Sequence, residues 1–144
     1  SIIKDNIKLL SEIDTSIRLN LISKKSIISL QSDREQINRV IFNLIKNSIE
    51  SIQQKSENTS NFDKIIDIEI YEKSNQIYII IVDNGLGFRN FTSDLNEILK
   101  PYVTTKKNGT GLGLSIVNKI INDHNGRLNF FSIPNGAKVE IIFN

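Results

Sequence analysis

The sequence predicts an α+β two-layer sandwich: a mixed, mostly antiparallel sheet covered on one face by about three helices. Two observations carry that expectation. Short apolar runs within 65–83 and 127–143 pair across polar turns and read as hairpins. Three other segments repeat apolar residues at steps of three and four, the period of a helix with one buried face. The order is helix, strand, helix, hairpin, long loop, helix, hairpin. Strands paired in hairpins, with helices to cover one face, make two layers.

Each element has its own signal. Residues 5–21 carry Ile7, Leu10, Ile13, Ile17 and Leu21 at helical spacing. "SIISLQ" (26–31) is a short extended run, and Asp33 after it can cap a second helix. That helix, 33–54, has the clearest pattern: Ile37, Val40, Ile41, Leu44, Ile45, Ser48, Ile49 and Ile52 form one buried stripe. Residues 55–64 make a polar loop. "IIDIEIYE" (65–72) and "IYIIIVD" (77–83) then read as an antiparallel hairpin around "KSNQ". The first alternates Ile66, Ile68 and Ile70 against Asp67, Glu69 and Tyr71, so one face points inward. The second is apolar on both faces, which predicts a central strand. Residues 84–110 are loop-like, with a short helix at 93–99. Residues 111–124 are helical, with Leu114, Val117, Ile120 and Ile121 on one face and Asn125-Gly126 as the stop. "RLNFFSI" and "AKVEIIF", joined by Pro134-Asn135-Gly136, form a terminal hairpin.

Composition narrows the class. The 144 residues suffice for one domain with a core and not for two. A net charge of +2, from 18 basic and 16 acidic residues, gives no argument for a nucleic-acid surface. No apolar run approaches the roughly 18–20 residues of a membrane span, and Ser1-Ile2-Ile3-Lys4 does not open like a signal peptide. Cys is absent, which excludes disulfides and thiolate metal sites and fits a reducing compartment. Met is absent as well, so the chain is expected to be a piece of something longer. Ile and Asn are abundant throughout, which weakens β-propensity as a strand detector and leaves period and turn chemistry to decide.

Four stretches carry chemistry. "GTGLGL" (109–114) stands at the mouth of a helix, where backbone N–H groups lack partners and the dipole is positive. Glycines let a phosphate chain reach those groups, although a flexible Gly-rich loop explains the stretch equally well. The spacing of Gly109, Gly111 and Gly113 is neither the dinucleotide fingerprint nor a P-loop. Asp83-Asn84-Gly85-Leu86-Gly87 closes the most buried strand. A tight turn explains Asn84 and Gly85 but not Gly87, nor an acid on the last residue of a buried strand. Such a carboxylate is costly unless it accepts hydrogen bonds. The exocyclic amine of adenine is a suitable donor, whereas guanine would set a carbonyl against it.

In "NLIKNSIE" (43–50), Asn43, Asn47 and Glu50 lie on one helix face at the edge of the stripe. Asn is a mediocre helix former, so stacked amides ask for a reason. Surface placement is one; an amide oxygen ligating Mg²⁺ is the other. "LKPYVTTKKNGTG" (99–111) puts Thr104, Thr105, Lys106 and Lys107 before the glycines, either as a solvated loop or as cations beside phosphate. Tyr102 and Phe88 can anchor that loop or close it over a ligand.

Together and in this order, these stretches resemble the ATP-binding catalytic domain of sensor histidine kinases. That family belongs to the superfamily with gyrase-type topoisomerases, Hsp90 and MutL, which share the Bergerat ATP-binding fold. "NLIKNSIES" is similar to the N box, "DNGLGF" to the first glycine box, "GTGLGLSIV" with a following His-x-Gly to the second, and "PYVTTK" to the F box. "KNSIES" and "PYVTTK" look most like the nitrogen-regulation class. The resemblance covers 33–144; residues 1–32, a linker helix and first strand, match loosely. It departs at Leu99-Lys100-Pro101-Tyr102, where the family usually has a Phe ahead of Pro.

The resemblance implies residue roles. Asn47 would ligate Mg²⁺, Asn43 would assist at the phosphates, and Asp83 would read adenine. Gly85 and Gly87 would let nucleotide and lid approach. Gly109, Gly111 and Gly113 would give backbone donors to phosphate, and Lys106 a side-chain contact. Glu50, Tyr102, Thr105, Thr110, Leu112 and Leu114 complete the implied ATP pocket, under a mobile lid at 88–108. The implied reaction moves the γ-phosphoryl of ATP to a histidine on a separate dimerisation domain, from which a response regulator receives it. The intact protein would be a homodimer and this piece a monomer, in the cytoplasm or as the cytoplasmic part of a membrane-bound sensor.

The single histidine, His124, follows a helix, where its interaction with the helix C-terminus explains it. It matches the family's His-x-Gly, which is not the phosphorylated site. The family's ATP-hydrolysing relatives place a Glu one turn before Asn47; Asn43 stands there, and an amide cannot serve as a general base. Glu50 is the substitute within reach. Three other readings compete: an ATPase module, an anti-sigma-type serine kinase, and a degenerate docking module without nucleotide.

Overall fold

The architecture follows from which side chains can be hidden together. The computed structural model describes residues 2–23, 34–59, 61–87 and 113–143. Within them the order is α1 (Ile2–Ser11), β1 (Arg18–Ser23), α2 (Arg34–Ser56), β2 (Ile65–Lys73), β3 (Gln76–Asp83), α3 (Gly113–Asp123), β4 (Arg127–Ile133) and β5 (Gly136–Phe143). The strands form one five-stranded sheet in the order β1-β2-β3-β5-β4. β1 runs parallel to β2 and every other pair is antiparallel. This is the expected mixed, mostly antiparallel sheet, and β3 is its central strand.

Register decides which face is dry. One row crosses all five strands through Leu21, Ile68, Ile81, Val139 and Phe130. A second passes through Leu19, Ile66, Asp83 and Ala137. Strand side chains alternate faces, so these rows share the inner face. The helices cover it. α2 packs between α1 and α3, and its Val40, Ile41, Leu44, Ile45, Ile49 and Ile52 are each at most 2% exposed. At roughly 1.5–3 kcal/mol for each such side chain, this burial outweighs the weak propensity of the helix's asparagines. The outer face is polar at its margins: Asn20 Nδ2 donates to Asp67 Oδ1 at 2.9 Å, and Tyr71 and Tyr78 stack with centroids 4.9 Å apart.

The turns use the chemistry that their dihedrals demand. Ser74 and Asn75 both have positive φ and close the β2–β3 hairpin. α3 ends in a double-bonded cap: Gly126 N–H donates to Ile121 O at 2.8 Å, Asn125 N–H to Asn122 O at 3.0 Å, and Asn125 is left-handed at φ 54°.

The expected helix over 5–21 is half wrong. The helix ends at Ser11, and residues 18–23 are a strand. Asp14 is the physical reason. Its Oδ1 accepts from both the N–H and the hydroxyl of Ser16, a local turn that competes with the helix. Ile17 and Leu21 are four apart and fit helical spacing, but Leu19 and Leu21 also fit the strand period. Ile13, which the helix would have buried, is 55% exposed. The extended run at 26–31, the Asp33 cap, the short helix at 93–99 and the lid at 88–108 lie outside the described residues. Among the described residues, no helix is long and apolar enough to cross a membrane.

Candidate functional site

The site begins where β3 runs out against α2. Asp83, the last residue of β3, is 5% exposed with Ile66 and Ala137 as its cross-strand neighbours. Its Oδ1 accepts the Gly85 N–H at 2.9 Å, and the Ser48 hydroxyl also donates to the carboxylate. Burial pushes Asp83 above the ordinary carboxylate range, while the Gly85 N–H, the Ser48 hydroxyl and the charge of Lys55 oppose it in that order. An ionised carboxylate has about four lone-pair sites. Two donors leave it able to accept from a ligand.

The turn after Asp83 is clamped on both sides. Asn84 is not the left-handed turn residue that an Asn-Gly pair suggests, since its φ is not positive. Its side chain accepts from Ile65 N–H at 3.0 Å and donates to the Asp63 carbonyl, tying the end of β3 to the start of β2. Lys55 Nζ donates to Asn84 O at 2.9 Å and sits 4.7 Å from the Phe62 ring centroid. Leu86 N–H donates to Ser51 Oγ at 2.9 Å.

Glycine is required here by close approach to the protein's own backbone. A Cβ on Gly85 would stand 2.5 Å from Ser51 Oγ and 2.9 Å from Ile52 N. Gly87 has φ +70°, and a Cβ there would lie 2.6 Å from Gly136 O. Gly136 in turn lies against the Asp83 carbonyl, leaving no room for a side chain.

α2 also carries the amides. Asn43, Asn47 and Glu50 are half-buried, on the flank of a stripe whose centre is dry. No group of three or more His, Cys, Asp or Glu side chains among the described residues could hold a metal. An amide oxygen from this face, joined by phosphate oxygens, would make a donor set that suits Mg²⁺. Gly113 is the first residue of α3, which packs beside α2. Tyr102, Thr105, Lys106, Gly109, Thr110, Gly111 and Leu112 lie outside the described residues, as does the side chain of Leu114.

His124 belongs to the α3 terminus. Its Nδ1 is 2.8 Å from Ile120 O, and its ring meets Phe143 edge-on at 6.3 Å.

Sequence reasoning missed Ser48, Ser51, Lys55 and Gly136. Ser48 carried a signal: it interrupts an apolar stripe, and a buried hydroxyl needs a partner. Ser51 lies three residues after it and Lys55 four after Ser51, the spacing of one helix face.

Comparisons with known proteins give the family. The family described as histidine kinase-, DNA gyrase B-, and HSP90-like ATPase matches residues 32–144. Sporulation kinase A of Bacillus subtilis is 34% identical over 121 residues, covering 83% of this chain and 18% of that protein. Nitrogen regulation protein NtrY of Azorhizobium caulinodans is 34% identical over 104 residues, covering 72% of this chain and 13% of that protein. The chain thus spans less than a fifth of the length of these relatives. The solved catalytic domain of histidine kinase ThkA superposes with a TM-score of 0.80 at 26% identity, covering 99% of this chain and 89% of that one. The chain belongs to the histidine kinase-, DNA gyrase B-, and HSP90-like ATPase family, as a catalytic domain of the sensor histidine kinase kind.

Proposed function

We propose that this chain binds Mg²⁺–ATP and passes the γ-phosphoryl to a histidine on a separate dimerisation domain of the same kinase. The observation that carries this reading is Asp83: a buried carboxylate at the end of the central strand, already holding two donors, with acceptor capacity left over. An adenine amine satisfies that capacity and a guanine carbonyl does not. Asn47, assisted by Asn43, is the group we assign to Mg²⁺, and Lys106 the one we assign to the phosphates. Glu50, Tyr102, Thr105, Thr110, Leu112 and Leu114 line the same pocket in this reading. Bound Mg²⁺ would neutralise charge on the transferring phosphoryl group. Gly109, Gly111 and Gly113 would turn backbone N–H groups toward the phosphates at the start of α3.

In the transfer, the bond from the γ-phosphorus to its bridging oxygen breaks, a bond to the imidazole nitrogen forms, and ADP leaves. Positioning and charge neutralisation supply most of the catalysis. A response regulator would take the phosphoryl group next. The intact protein would be a homodimer acting in the cytoplasm.

Calorimetric titration with a non-hydrolysable ATP analogue, with and without Mg²⁺ and against the GTP analogue, tests the pocket. Adenine-selective binding that strengthens with Mg²⁺ is the expected result. A folded sample that binds neither analogue would favour a docking module without nucleotide.

A further inference from the structure

Three side chains of α2 form a rail along the end of β3. Ser48, Ser51 and Lys55 follow one another at three- and four-residue steps, and each holds a different group of the same turn. Ser51 takes the Leu86 N–H and Lys55 the Asn84 carbonyl. These are backbone groups, which any residue in the turn would supply. Ser48 alone of the three hydrogen-bonds the side chain of Asp83. Ser48 is 4% exposed and Asp83 5%, so bulk solvent reaches little of either one. In an apolar stripe, alanine would form helix better and bury no polar atom. The hydroxyl therefore has a use that the helix does not explain.

Resting on the ATP-binding reading above, we propose that Ser48 is a positioning residue for purine recognition: its hydroxyl fixes the Asp83 carboxylate as an oriented acceptor for an adenine amine. Both groups that hold the carboxylate, the Ser48 O–H and the Gly85 N–H, are donors. What remains facing a ligand is acceptor only. Without the hydroxyl, burial is opposed by the Gly85 N–H and by Lys55, the charged group that faces Asp83 from α2. Its neighbours in the sheet, Ile66 and Ala137, carry no charge. A carboxyl that keeps its proton presents an O–H, which suits the carbonyl of guanine and opposes the amine of adenine. Ser48 thus sets which purine the pocket prefers.

The test compares wild type with Ser48→Ala and Ser48→Thr. Without nucleotide, the Gly85 amide resonance followed against pH reports the carboxylate to which it donates. Ser48→Ala is expected to move that titration to higher pH and Ser48→Thr to restore it. With nucleotide, Ser48→Ala is expected to bind the ATP analogue about tenfold more weakly near neutral pH. Its preference over the GTP analogue should narrow, and Ser48→Thr should recover it. A Ser48→Ala protein that is folded by circular dichroism, with an unmoved titration and an unchanged preference, would overturn the proposal. If wild type bound neither analogue while the titration still moved, the Ser48–Asp83 coupling would stand. The purine role would fall with the ATP reading.

Discussion

Asp83 shares its row of the inner sheet face with Leu19, Ile66 and Ala137, and it is the one acid there. Burial raises its pKa above the ordinary 3.8. The native state therefore holds this proton more tightly than the unfolded chain does. Below the unfolded value both states are protonated and the residue costs nothing. As pH rises through the raised native value, a buried charge must form and stability falls. Asp83→Asn removes that charge and keeps a carbonyl oxygen to accept the Gly85 N–H. We expect thermal melts of Asp83→Asn to match or exceed wild type at neutral pH, with the gain vanishing toward pH values below 3.8. The same variant should lose most of its affinity for the ATP analogue, since an amide nitrogen then competes for the amine's place. Melting lower than wild type at neutral pH would show that the carboxylate is structural.

α2 does two jobs with one period. Its apolar stripe fixes how it lies on the sheet, and that orientation alone brings Ser48, Ser51 and Lys55 to the β3 turn and leaves Asn43, Asn47 and Glu50 on the flank. α3 depends on how it ends. Asn125 is left-handed at φ 54°, a conformation that Asn and Gly tolerate and β-branched residues do not. Asn125→Val should lower stability by about 1–2 kcal/mol, and Asn125→Gly should not. Urea unfolding of the two variants checks this; equal loss in both would mean that the Asn125 side chain, rather than its φ, holds the terminus. α1 and β1 show how a periodic pattern misleads. A spacing of four fits a helix whether or not the chain stays helical, and the decision fell to Asp14, whose side chain finds Ser16 before the next helical turn can form.

At the scale of the molecule, a sheet dry on one face and wet at the margins of the other carries its polar site at the end of the central strand, against α2. The family resemblance sets Asn43 where ATP-hydrolysing relatives would carry a Glu, and an amide is no general base. Steady hydrolysis of ATP by this chain alone is expected to be slow, and Glu50→Ala to change it little. A phosphate-release assay showing steady turnover that Glu50→Ala abolishes, with ATP affinity kept, would instead favour an ATPase.

Much of this was legible in the residues themselves. The hairpins at 65–83 and 127–143 were, because alternation and turn chemistry are local. So was the helix at Arg34–Ser56, within two residues at its end, because a seam of eight positions has one period that fits. Asp83 stood out as an acid closing an apolar run. These elements and the order of the boxes can be read along the chain, since both depend on neighbours within a few residues. Folding in three dimensions is what puts Leu19 and Leu21 on a parallel edge strand, turns Ser48 to Asp83 across 35 positions of chain, and keeps Gly85, Gly87 and Gly136 small because backbones cross there. Those are distances between segments far apart in sequence. They are set by which faces the core buries together, and no local pattern records them.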